Sequence, residues 1–184
     1  MKSGVRILAL ATAPIQHRRT TLLIGIVGRD GIVEGVLSSR VSVDGTDATS
    51  KIIRMLRNTR FGEQIRVIAT NGIALAGLNL IDTVKLENHT GTKFLSLTRT
   101  KPHPAKLAAA LKHHSKIKGV GVEERMILLD RFRKMDQNRS SGFYVQSSLD
   151  DVGVRNIITS AVKLLRLAHI IARGVSTGES KGRI

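Results

Sequence analysis

Three apolar runs open the chain, at Val5–Thr12, Thr20–Gly28 and Ile32–Val43. Each closes at or beside a Gly, Pro or Asp, and runs of this length rich in Ile, Leu and Val predict strands. Arg29-Asp30-Gly31 joins the second run to the third. An Asp-Gly pair tolerates the left-handed backbone of a tight hairpin turn, so a hairpin is expected here. In the third run Val33, Gly35, Leu37 and Ser39 alternate with Glu34, Val36, Ser38 and Arg40. Neither set is cleanly apolar, which predicts a long strand partly buried on both sides.

The period then changes. Ile52, Ile53 and Leu56 have helical spacing, with Lys51, Arg54 and Arg57 along another face. Asp47 or Thr46 is the expected N-cap and Gly62 the expected stop. A short strand follows at 65–72, a helix from about 77–79 to Gly91, and a strand at 93–100. Pro102 and Pro104 open a further helix, residues 122–135 are patterned as another, and 142–148 read as a late strand. The strongest helical pattern follows Asp150, with Gly174 as its expected end. We expect one domain over 1–174 and a polar, basic tail over 175–184, mobile when free. Successive strands followed by alternating units predict an α/β fold, a mixed sheet with helices on both faces. That order resembles ribonuclease H-like topology.

Composition narrows the function. Hydrophobic residues are 41% and aromatics 3%, so the core must be built from aliphatic side chains. With no cysteine there is no disulfide, thiol catalysis or zinc–thiolate site, which fits a cytoplasmic protein. The start MKSGVRILALATAP is basic and then apolar, like a secretion signal, but it is short and runs into a second strand, so we read it as a strand. No apolar run has membrane-spanning length, and no helix pairs a cationic face with an aromatic one, so no membrane partner is expected. The net charge is +16, from 30 Lys plus Arg against 14 Asp plus Glu. Such self-repulsion is relieved by a polyanion, and nucleic acid is the expected partner.

Arg99 to Lys118 concentrates that charge, with six Lys or Arg, three His and no acid. A solvated face would carry acids between the bases. Their absence marks Arg99, Lys101, Lys106, Lys112, Lys116 and Lys118 as candidate phosphate ligands. Arg18, Arg19, Arg54, Arg57, Arg131, Arg133 and Lys134 could extend the surface. His113 and His114 point in different directions on a helix and lack an acidic partner at ligand spacing, which argues against metal binding. Phe143 and Tyr144 are the one aromatic pair, and the basic segments have no interleaved aromatics. That favours backbone contact over stacking on bases.

Several motifs, in order, resemble the archaeal endonuclease dU family, relatives of endonuclease V. They are VDGTDAT (43–49), NGIALAGLNLID (71–82), TRTKP (98–102) and VEER (122–125), and the likeness extends over residues 5 to 172. The resemblance implies a ribonuclease H-like nuclease in which acids at neighbouring strand ends hold a divalent metal that activates water. The family's acids would fall at positions 11, 12 and 71, where this chain has Ala11, Thr12 and Asn71. Asp44, Asp47 and Asp82 are the remaining candidates for a vestigial metal site. Each also has a plain reading: Asp44 as a turn with Gly45, Asp47 as a helix cap, and Asp82 as an exposed acid or partner of an Arg.

The expectation is therefore a catalytically degenerate nuclease-fold protein that binds nucleic acid through charge. RNA is favoured over DNA, and the ribosome is the candidate assembly. No cofactor is expected. The alternatives are an active magnesium-dependent endonuclease acting on deaminated bases and a non-enzymatic DNA-binding protein.

Overall fold

The computed structural model describes residues 4–16, 19–118 and 122–180. Arg18 falls outside the described residues, as do the side chains of Lys116 and Lys118. Strands β1 (Arg6–Thr12), β2 (Thr20–Arg29) and β3 (Ile32–Ser42) form an antiparallel meander. The β2–β3 turn places Asp30 and Gly31 in the left-handed region, as the Asp-Gly pair predicts. Helix α1 (Ala48–Arg57) leads to β4 (Val67–Thr70), which pairs parallel to β1. A small hairpin, β5 (Ala74–Leu75) and β6 (Asn79–Leu80), precedes α2 (Thr83–Thr90) and β7 (Lys93–Thr98). Then come α3 (Pro104–Lys118), α4 (Glu123–Arg133), β8 (Gln137–Ser140), β9 (Phe143–Ser147) and α5 (Asp151–Thr177). The main sheet runs β3-β2-β1-β4-β7-β9-β8, with β1, β4 and β7 parallel and the rest antiparallel.

Period-two alternation sends each strand's side chains into two separate cores. Ile7, Ala9, Ala11, Val67, Ala69, Leu95, Leu97 and Val145 face α5, whose Ile157, Ala161, Leu164, Leu165 and Ala168 recur every three to four residues. Leu8, Leu10, Ile68 and Phe94 face the opposite way, toward Ile52 and Leu56 of α1, Leu86 of α2, Leu111 of α3 and Leu129 of α4. Helices thus cover both faces. None of the described helices is long and apolar enough to cross a membrane.

Several boundaries differ from expectation. β3 is an edge strand, partly buried on the face of Leu37, Ser39 and Val41 and exposed on that of Val36, Ser38 and Arg40, rather than partly buried on both sides. α1 stops at Asn58, before Gly62. The segment 77–81 belongs to the β5–β6 hairpin and its exit, so α2 begins only after Asp82. β8 adds an unforeseen polar edge. α5 passes through Gly174 and ends at Gly178, whose left-handed backbone closes it. An interior glycine costs about 1 kcal/mol, and the helix continues past it with Ala172 buried against the sheet side.

Candidate nucleic-acid interface at the carboxyl edge of the sheet

The parallel strands β1, β4 and β7 end together, at Thr12, Thr70 and Thr98. Around this edge lie the loop after β3, the β5–β6 hairpin and the segment leading into α3. The three candidate acids are nearby, and each is engaged. Asp44 sits in the left-handed region (φ 54°), so the turn reading holds. Its N–H donates to Ala76 O at 2.9 Å, and its Oδ1 accepts from Leu78 N at 2.8 Å. Asp44 thereby pins the tip of the hairpin. Its Oδ2 faces His114 Nε2 at 3.9 Å, beyond hydrogen-bond range.

Asp47 occupies the N-cap position of α1, but its side chain does not cap the helix. It accepts from Ser42 N (3.1 Å), Ser42 Oγ (3.0 Å) and Asn79 Nδ2 (2.7 Å). The cap comes from Asn79, whose Oδ1 accepts from Ala48 N at 3.0 Å. Asn79 is fully buried and also donates to Ser42 O. Burial alone would raise the Asp47 carboxyl, but the hydrogen bonds from Asn79 and Ser42 and the charge of Lys51 hold it below the usual range. Asp82 is the N-cap of α2, rather than a residue within it; it accepts from Lys85 N and faces Arg131 Nη1 at 3.9 Å.

A divalent metal does not fit this donor set. Magnesium requires hard oxygen ligands converging on one point, usually with carboxylate charge. Asp44, Asp47 and Asp82 serve three different structural partners. Among the described residues no group of three or more acids or histidines comes together. Ala11 offers no ligand atom, and Thr12 and Asn71 offer only neutral oxygens.

Two cavities flank the edge. One, of about 380 Å³, lies beneath α3 and α4 beside Asn71. Its floor is polar, with Ser96, Thr98 and Gln146, and its walls are apolar, with Leu107, Leu129 and Phe132. Thr98 Oγ1 and Gln146 Oε1 are buried without partners among the described residues, while Gln146 Nε2 donates to Phe132 O. Such a pocket accepts a flat group with hydrogen-bonding edges. The second, of about 350 Å³, lies between the end of β1, the hairpin tip and α5, and is lined by Thr12, Pro14, Gly77, His169 and Arg173. Burial, and secondarily the charge of Arg173, hold the His169 imidazole below its ordinary pKa.

The basic residues divide between two ends of the molecule. Lys101, His103 and Arg133 line the polar-floored cavity, and Arg99 lines a smaller depression continuous with it. Lys106 and Lys112 are exposed on α3, and Arg19 is exposed where its carbonyl meets Val43 N. Arg131 and Lys134 are exposed on and just after α4. Arg57 instead shares a depression with Arg60, Gln64 and His89 at the opposite edge, and Arg54 lies on the same last stretch of α1. His113 is exposed and His114 is half-buried, as divergent directions require. Phe143 packs in the α5-side core, with Arg99 over its ring at 5.4 Å. Sequence reasoning missed Asn79, His169, Arg173 and the polar cavity floor. Polar residues at alternate positions of an otherwise apolar strand, Ser96 and Thr98, were the available signal.

This sheet order, with α5 on one face and four helices on the other, defines a ribonuclease H-like α/β protein. The catalytic domain of human endonuclease V has the same fold, with a TM-score of 0.55 at 13% identity, over 96% of this chain and 85% of that one. A protein of unknown function from Archaeoglobus fulgidus superposes with a TM-score of 0.83 at 25% identity, over 95% and 99%. The chain belongs to the endonuclease dU family, whose profile matches residues 3–176. It is 34% identical to the UPF0215 protein of Methanothermobacter thermautotrophicus over 99% of this chain and 93% of that one. A Thermococcus kodakarensis relative is also 34% identical, over 92% and 88%.

Proposed function

We propose that this chain is a nucleic-acid-binding member of its family that no longer cleaves. It holds the sugar–phosphate backbone against the carboxyl edge of its sheet and along α3. Structured RNA is the preferred partner, the ribosome the candidate assembly, and the cytoplasm the location. The observation that carries this reading is the fate of Asp44, Asp47 and Asp82. Each is committed to a turn, a loop or a cap, while Arg99, Lys101, Lys106, Lys112 and Arg133 stand exposed around the same edge. The scarcity of aromatics supports contact with backbone and shape, which is how helical RNA is recognised.

A second reading is a metal-dependent endonuclease acting on deaminated bases. The polar-floored cavity beside Asn71 supports it, since one base swung out of a strand would meet Thr98 and Gln146 there.

One assay separates the two. Oligonucleotides containing deoxyuridine, deoxyinosine or ribonucleotides are incubated with the protein and magnesium or manganese. We expect binding without cleavage, tighter for folded RNA than for DNA of equal length. Neutralising Lys106 and Lys112 should lower the slope of log affinity against log salt by about 1 per lysine. Cleavage that disappears in Asp44→Asn overturns the first reading.

A further inference from the structure

We propose that the pocket between β1, the β5–β6 hairpin and α5 binds a backbone phosphate of the nucleic acid through Arg173, His169 and Thr12. The inference deepens the reading above and rests on it for the nature of the ligand. It concerns the strand end where the family resemblance would place a metal, and it reverses the sign of the guest.

The pocket of about 350 Å³ is lined by Thr12, Ala13, Pro14, Gly77, His169 and Arg173 among others; no described carboxylate lines it, and the nearby Asp44 carboxylate, behind Gly77, is engaged by Leu78 N. His169 and Arg173 stand one helical turn apart on α5, so both side chains reach the same mouth. His169 Nε2 is buried and has no hydrogen-bond partner among the described residues. A buried ring nitrogen is rarely left empty without a function. Arg173 forms no ion pair among the described residues, although its guanidinium lies close enough to depress the imidazole's affinity for protons. A neutral imidazole still carries one N–H. Thr12 Oγ1 takes only a long contact of 3.4 Å from Ala76 N, leaving its hydroxyl proton free to be donated. In the tautomer protonated at Nε2, the pocket presents a guanidinium, an imidazole N–H and a hydroxyl as donors. A cation would meet repulsion from Arg173. A phosphodiester oxygen would meet a charge-assisted hydrogen bond and two neutral ones.

The test follows the His169 imidazole resonance of the full chain by nitrogen–proton NMR, assigned with His169→Gln. Three probes are titrated: inorganic phosphate, an oligonucleotide lacking terminal phosphates, and manganese. Inorganic phosphate and the oligonucleotide should each shift His169 and saturate, which separates backbone phosphate from terminal or free phosphate. Manganese should leave the line width unchanged. Arg173→Gln should weaken the phosphate titration by about tenfold, as loss of one charged hydrogen bond does, and Arg173→Lys should restore part of it. Arg173 is exposed, so the fold should survive both variants. The proposal is overturned by a His169 signal that ignores phosphate and oligonucleotide alike. Equal phosphate affinity in Arg173→Gln, or broadening by manganese, has the same force. If a silent His169 accompanies salt-dependent oligonucleotide binding through Lys106 and Lys112, this pocket fails and the broader reading stands. If phosphate shifts His169 while no oligonucleotide binds at all, the broader reading fails and the backbone assignment falls with it.

Discussion

The two faces of β7 and β9 are built from the same strands and put to opposite uses. Leu95, Leu97 and Val145 meet α5 in a dry, closed core. One residue along, Ser96, Thr98 and Gln146 point under α3 and α4, floor a cavity, and leave two buried oxygens without partners. Buried polar atoms without partners oppose folding. The face under α5 therefore carries stability, and the other holds space that packing alone would have filled. The acids at the carboxyl edge fall on the stability side of this division: Asp44 and Asp47 fasten loops, and Asp82 caps α2.

Three substitutions would break or sharpen that contrast. Leu165→Ala, in the α5 core, should have the largest effect. It should cost about 3 kcal/mol in denaturant unfolding and lower the midpoint without changing the slope. Asp47→Asn comes next. It weakens the bonds from Ser42 and Asn79 and should cost on the order of 1.5 kcal/mol at pH 7. The folded carboxyl titrates below its unfolded value of about 3.9, so its stabilisation is fully present above that pH and is lost as pH falls through the folded value. The gap between wild type and Asp47→Asn should accordingly close in acid. If the gap is constant across pH, the Asp47 charge plays no part in stability. Thr98→Val should have the smallest effect, within about 1 kcal/mol of wild type, because its hydroxyl has no partner to lose. A large loss there would mean the cavity floor is part of the core after all.

Much of the architecture was legible in the sequence, for a physical reason. β1, β2, α1 and the body of α5 bury continuous or periodic apolar faces, and burial writes itself into the pattern. β8 was invisible because an exposed edge strand reading Gln137–Ser140 buries nothing. β5 and β6 are two residues each, too short for any period to show. At the site, the positions of Asp44 and Asp47 at a turn and a helix start could be read directly. Their partners could not, since Leu78 and Asn79 lie more than thirty residues away in sequence. His169 and Arg173 looked like ordinary members of a long helix; only the course of α5 along β1, from Leu164 beside Gly28 to the end of the strand, places them beside Thr12. Nor does charge in the sequence show direction. Arg57 and Arg133 are both exposed bases in the last turn of a helix, yet Arg57 lines the depression beside Gln64 and Arg133 the cavity beside Asn71.

Ala11 and Thr12 differ in what they allow to happen next. Thr12 borders open space, so an aspartate would be accommodated there with little harm. Ala11 is 1% exposed within the apolar cluster beneath α5, and a carboxylate at that site would be stranded without water. Accommodating one would need prior loosening of the helix above. The two neighbouring positions are thus unequal on an evolutionary map: one is a door left ajar, the other has been walled over by packing.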